Sequence, residues 1–166
     1  YISDQGSGGD RGDITAPCSE KGVTMRPYVI VNVAVSADGK LSTRERRQVK
    51  ISGKEDFERV DELKAGCDAI MVGIGTVLAD DPSLTIKSPD RIAERVRQGR
   101  PEHPIRIVVD SRARTPPDAK ILHKGPGRRV IAISESAPEI RRDALRPHAE
   151  IIVTGDTEVS LAAFME

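Results

Sequence analysis

Aromatic residues are scarce: the chain has no tryptophan, two tyrosines and two phenylalanines among 166 residues. That leaves no platform on which the bases of a single strand would stack. Net charge is missing too, because 26 Lys and Arg balance 26 Asp and Glu. A basic footprint for nucleic acid or for an anionic membrane surface is therefore not expected. No apolar run approaches the roughly 20 residues of a spanning helix. Cysteine is rare: Cys18 and Cys67 lie far apart and form neither a disulfide framework nor a metal-ligand spacing. That usage fits a reducing, cytoplasmic setting. His103, His123 and His148 sit in polar, Pro-rich or Arg-rich surroundings, so exposed loop histidines are expected and no metal site.

What is present is an alternation of short apolar runs and amphipathic segments. The β-branched run YVIVNVAV (28–35) reads as a buried parallel strand interrupted by Asn32. Ser52 and Glu55 have capping-box spacing ahead of a helix to about residue 65, with Phe57, Val60, Leu63 and Cys67 on one face and Gly66 at its end. Further strands are expected at 69–72, 105–110, 130–133 and 150–153. Helices are expected around 91–97, from Ser136 to about 146, and from 158 to 166. Such alternation implies an α/β domain with a mostly parallel sheet flanked by helices. Residues 1–25 are rich in Gly, Ser and Asp with no hydrophobic period, and are expected to form a disordered extension ahead of a domain spanning 26–166. Met25 is a natural place for translation to begin.

The stretch IMVGIGTVLADDPSLTIK (70–87) organises the rest. A strand breaks at Gly73 and Gly75 and opens a short helical run that stops at Asp80, Asp81 and Pro82. Free N–H groups and the helix dipole at such a turn favour a phosphate, and Thr76 is expected to add a hydroxyl at the cap. A dinucleotide fingerprint of the usual kind is excluded, because Leu78 occupies its third glycine position and no strand-ending acid follows about 20 residues on. A turn whose glycines serve only packing remains the alternative. SADGK (36–40) ends the first strand and reads either as an ordinary turn or as a ligand contact at a strand's carboxyl end. Ser111 and Arg112 end the 105–110 strand at the same sheet edge, where a guanidinium suits a phosphate. STRERRQVK (42–50) is either a solvated basic loop or a means of steering an anionic substrate.

Three motifs occur in order: RPYVIVNVAVSADGKLS, then ISGKEDFERVDELKAGCDAIMVGIGTVLADDPSLTIK, then PIRIVVDSRARTPPDAKIL. In this order the chain resembles the riboflavin-pathway reductases. These comprise the archaeal and fungal diaminopyrimidine ribosyl-phosphate reductases and the reductase half of the bacterial bifunctional deaminase-reductase. The resemblance implies a dihydrofolate-reductase-like fold and an NADPH-dependent reduction of a ribosyl group to a ribityl chain on a phosphorylated pyrimidine, diamino or aminouracil. It also implies a homodimer in the full-length protein.

Carried over position by position, Val35, Gly73, Gly75, Thr76, Asp80, Ser111 and Arg112 would hold NADPH. Asn32, Asp38, Lys40, Lys64, Leu84 and Lys87 would face the substrate. Asp38 and Lys40 are the candidates for assisting proton movement. Lys64 stands where relatives carry Arg and keeps the charge without the bidentate fork. The zinc-deaminase signature is absent, so a stand-alone reductase is expected. The family's Gly-rich loop has no counterpart before Glu166, so the domain is expected to be incomplete at its C-terminus. Two other readings follow: a non-catalytic nucleotide-binding module, and a dihydrofolate-reductase-like enzyme acting on another pterin-like substrate.

Overall fold

The computed structural model describes residues 27–40 and 53–166. The expected extension at 1–25, the basic run at 42–50 and Ser52 lie outside the described residues. Among the described residues ten elements follow one another: α1 (Lys54–Gly66), β1 (Ala69–Gly73), α2 (Ile74–Asp80), α3 (Pro89–Arg97), β2 (Ile105–Val109), α4 (Lys120–His123), β3 (Arg129–Ile133), α5 (Glu139–Leu145), β4 (Glu150–Val153) and α6 (Leu161–Phe164). The four strands form one wholly parallel sheet in the order β1-β2-β3-β4. Consecutive parallel strands need a crossover, and each connection here carries a helix.

Register and side-chain alternation decide where the core lies. Val72 pairs with Val108, Val108 with Ile131, and Ile131 with Ile151, so these four form one row across a single face. Ile74 and Val77 of α2, Ile121 and Leu122 of α4 and Leu145 of α5 pack with Val108, Ile131 and Ile133 in one cluster. Burying one such side chain contributes about 1.5–3 kcal/mol. β3 is the centre of this packing: Val130, Ile131, Ala132 and Ile133 are all buried.

A charged residue is buried in the same sheet. Arg106, on β2, is fully buried. Its guanidinium donates to the carbonyls of Ile121 (3.3 Å), Lys124 (2.5 Å), Gly125 (3.3 Å) and Pro126 (2.9 Å). Burial, with Arg129 nearby, pushes its pKa down to about 10, so it remains a cation at neutral pH. One side chain thus satisfies the carbonyls of the turn that leads from α4 to β3.

Several local expectations are corrected. The run 28–35 is not a strand. It has no ladder partner and lies exposed, Tyr28 at 91% and Val31 at 78%. A β-branched run becomes a strand only where an edge and a face receive it, and among the described residues β1 pairs with β2 alone. α1 includes Gly66, and Cys67 is its cap. Phe57, expected on the apolar face of α1, is exposed, and the buried residue of that helix is Asp61. α5 begins after Pro138 rather than at a Ser136 cap, because the Ser136 hydroxyl is engaged with Ser134 and the Thr157 carbonyl. The last helix is only Leu161–Phe164, capped by Ser160. α4 was not expected: it follows Pro116 and Pro117 after a short turn and is only four residues long.

Candidate active site

The first group of candidate residues gathers at the carboxyl edge of the sheet. Gly73 pairs in register with Val109, so the turn after β1 and the 110–112 segment after β2 emerge side by side. α2 starts at once, with Gly73 as its N-cap. Thr76 is therefore not the cap, as expected, but the third helical residue. A strand passing directly into a helix leaves no intervening residue for the hydroxyl to cap. Thr76 and Asp80 lie four residues apart and share the exposed side of α2, opposite buried Ile74 and Val77. A Cβ placed at Gly73 or Gly75 meets nothing within 4 Å, so the space before the turn is open to a ligand.

Ser111 is half-buried, and its hydroxyl accepts the Val159 N–H at 3.1 Å. Its carbonyl accepts the Ser134 hydroxyl at 2.7 Å. The 155–159 loop thereby crosses this edge, held also by Glu135 N–H on the Gly155 carbonyl (2.9 Å) and Ser136 N–H on the Asp156 carbonyl (2.8 Å). Gly155 is required there: its φ is +77°, and a Cβ would lie 2.2 Å from the Glu158 carbonyl oxygen. Arg112 is exposed at the same edge. Beneath it the fully buried Asp110 carboxylate accepts the Thr115 N–H at 2.6 Å and the Thr115 hydroxyl at 2.8 Å. Asp110 fixes the turn that displays Ser111 and Arg112. Its position at the strand end was visible in the sequence, but its inward direction was not.

A second group lies toward the amino ends of the strands. Lys64 is in the last turn of α1, ahead of β1. Lys87 follows the 81–86 segment, and its ammonium donates to Ser83 Oγ (2.9 Å) and Thr85 Oγ1 (2.7 Å). Burial lowers the pKa of both lysines; the neighbouring charges of Lys124 and Lys64 lower Lys87 further, while Asp61 raises both. Leu84 belongs to the same segment and holds a left-handed backbone, φ +52°. A bulky residue in that region is a sign of local constraint. The structure therefore brings Lys64 and Lys87 together and adds Lys124, which the motifs did not mark, whereas Leu84 packs against the hydrophobic core. Asp81 was also unmarked. It ties the end of α2 to α4 by accepting the Lys120 N–H at 2.8 Å and pairing with its ammonium at 3.1 Å.

The remaining candidates lie on the 27–40 segment. Asn32 accepts from Arg59 at 2.9 Å, and Asn32 and Val35 line a groove of about 330 Å³ with Gly53, Asp56 and Arg59. Arg59 is a further candidate for an anion; its pattern in the sequence was only that of a polar helix position. Asp38 and Lys40 form an ion pair with each other, and Ser36 donates to Asp38 at 2.5 Å. The Lys40 ammonium, followed by Ser36, holds the Asp38 carboxyl below its ordinary value. This is a closed local turn around Gly39 (φ +76°), and its hydrogen bonds do not reach the two groups above.

Residues 27–166 match the model of the RibD C-terminal domain. The chain belongs to that family. It is 50% identical over 142 residues to the 2,5-diamino-6-ribosylamino-4(3H)-pyrimidinone 5′-phosphate reductase of Archaeoglobus fulgidus, covering 86% of this chain and 64% of that protein. It is 49% identical over 143 residues to the enzyme of the same name from Methanothermobacter thermautotrophicus, covering 86% and 62%. The chain thus spans somewhat under two thirds of these two relatives. Among solved structures it resembles a pyrimidine reductase-like protein of Corynebacterium diphtheriae, with a TM-score of 0.63, 16% identity, and coverage of 80% of this chain and 56% of that one. That likeness concerns the fold, and it bears out the dihydrofolate-reductase-like α/β architecture. Among the described residues no helix is long and apolar enough to cross a membrane.

Proposed function

We propose that this chain is part of an NADPH-dependent reductase of riboflavin synthesis. Its substrate is 2,5-diamino-6-ribosylamino-4(3H)-pyrimidinone 5′-phosphate, whose ribosyl group is reduced to a ribityl chain. The observation that carries this reading is the 50% identity with a reductase named for that substrate. The alternative is the deaminated aminouracil substrate.

The carboxyl edge fits a dinucleotide. Its turn is open at Gly73 and Gly75, the first N–H groups of α2 have no intrahelical acceptor, and Arg112 is exposed beside them. Gly73, Gly75, Thr76, Asp80, Ser111 and Arg112 would hold the cofactor there, with Val35 from the 27–40 segment. When bound, the nicotinamide supplies the hydride. The chain's own part is binding and orientation. Donors at the turn and Arg112 suit the negative phosphates, and the carboxylate of Asp80 suits hydroxyl donors of a ribose.

The second group suits the other end of the substrate. Lys64 and Lys87 favour a phosphate, and Lys87 has one of its three ammonium protons left to donate after Ser83 and Thr85. Asn32 extends the substrate set, and Asp38 with Lys40 is the pair available to assist proton movement. A homodimer of the full-length protein in the cytoplasm belongs to the same reading.

The test is turnover. NADPH oxidation by the full-length protein is followed at saturating diaminopyrimidine ribosyl phosphate, aminouracil ribosyl phosphate and dihydrofolate. Consumption only with the diaminopyrimidine is expected. Consumption only with the aminouracil reassigns the substrate, and consumption only with dihydrofolate removes the pathway.

A further inference from the structure

Lys64, half-buried on α1, and Lys87, exposed at the end of the 83–88 segment, are like charges close enough to lower Lys87 further, and something must hold them there. Asp61 is the one acidic side chain whose charge reaches both among the described residues that shift them. It sits one turn before Lys64 on α1, and its residue is buried to 5% exposure. One carboxylate oxygen accepts the Lys87 N–H at 2.7 Å; the other accepts the Ser88 N–H at 3.1 Å and Arg91 Nη1 at 3.1 Å. Burial alone would raise the Asp61 carboxyl, but these donors and Lys64 outweigh it and hold the group below its ordinary value. The carboxylate is therefore charged at every pH at which the enzyme would work.

These contacts join two pieces of chain. Helix α1 carries Lys64, and the 83–88 segment carries Lys87. Two backbone N–H donors on one carboxylate fix the segment's position along the helix to within a hydrogen bond's tolerance. We propose that Asp61 is a positioning residue: its carboxylate fixes the 83–88 segment against α1 and so sets the spacing of Lys64 and Lys87, which together receive the substrate's phosphate. This rests on the reading of the two lysines as the phosphate end of the site. Asp61 itself, acceptor-only and fully occupied, does not touch the anion.

Lys124 after α4 and His103 ahead of β2 also face Lys87, while Arg91 on α3, itself paired with Glu58 of α1, faces Asp61. All but Glu58 are basic, so losing Asp61 removes the main negative charge at the lysines. The sign follows. An anion prefers protonated lysine, and without Asp61 the lysine pKa values fall further. Phosphate affinity in Asp61→Asn must then fade at a lower pH than in the parent.

The experiment compares the parent, Asp61→Asn, Lys87→Met and the double variant in the full-length protein. Each is measured by ribose 5-phosphate titration between pH 6 and pH 10 and by steady-state turnover with the pyrimidine substrate. For Asp61→Asn, ribose 5-phosphate affinity should drop roughly tenfold, the turnover loss should fall on KM rather than kcat, and the affinity–pH curve should move to lower pH. In the double variant the loss should be clearly less than the sum of the two single losses, because part of the effect of Asp61 passes through Lys87. An unchanged affinity, an unshifted pH curve or fully additive losses would overturn the proposal. If Asp61→Asn does not fold, Asp61→Glu decides: a carboxylate set one methylene farther out should shift the 83–88 segment and weaken ribose 5-phosphate affinity, and parent-like affinity overturns the proposal. Loss of ribose 5-phosphate binding without any NADPH oxidation by the parent would leave Asp61 standing while the enzymatic reading fails.

Discussion

Two β-branched runs of this chain have opposite fates. Residues 130–133 (VIAI) are buried, between a parallel ladder on each side and a layer of helices. Residues 28–35 (YVIVNVAV) are richer in strand-forming side chains, yet are exposed and unpaired. The difference is not local preference, which favours the second run. It is the presence of neighbours: β propensity measures how well a side chain fits a half-built surface, and 28–35 meets no such surface among the described residues. The same contrast divides the candidate site. Ser111 and Lys87 are each tied to residues of the folded domain by at least two bonds, whereas Asp38 and Lys40 are held chiefly by each other and by Ser36.

The sharpest way to break this comparison is to cut both runs equally. Ile131→Ala should lower unfolding free energy by about 2–5 kcal/mol, as for a buried aliphatic residue. Val31→Ala, at an exposed position, should stay within about 0.5 kcal/mol. Urea denaturation of the two variants measures both. A large loss at Val31 would mean that 28–35 is packed in solution.

A smaller effect is expected at Arg106. Arg106→Leu keeps the bulk but leaves the carbonyls of Ile121, Lys124, Gly125 and Pro126 without their donor. A loss of about 1–3 kcal/mol is expected, with faster amide exchange confined to the turn between α4 and β3. Asp61 contributes a pH-dependent increment. Its carboxyl is held low in the folded chain, so its stabilisation is present above the ordinary carboxylate range and lost as pH falls through and below it. The stability difference between parent and Asp61→Asn should therefore shrink between pH 6 and pH 3. The smallest effect belongs to the 36–40 turn: Asp38→Asn should leave the melting temperature unmoved, since the carboxylate is solvated.

The sheet was legible because four of its strands are short apolar runs bounded by turn residues, and a parallel arrangement followed from the intervening helices. The expected bounds at 150–153 match β4, and those at 130–133 fall one residue short of β3. What was not legible depended on partners distant in sequence. The VIVNVAV pattern said strand, but pattern does not say whether an edge is waiting. Capping spacing misplaced the starts of α2 and α5, because a strand running straight into a helix and a competing serine network override it. The glycine turn and the 110–112 segment were expected at one edge, and parallel register puts them there. Asp61 looked like any polar helix residue. Only the approach of residues 87, 88 and 91 turns it inward.

The measurement that tests the central claim most directly is a calorimetric titration of the full-length protein with NADPH, beside NADH and beside the Gly75→Val variant. Gly75 has open space before it, so the substitution should leave the fold intact while obstructing a ligand at the turn. Saturable binding that prefers NADPH and weakens at least about tenfold in the variant is expected. Folded parent protein that binds no NADPH, or a variant that binds it as tightly as the parent, would contradict a cofactor site at the carboxyl edge.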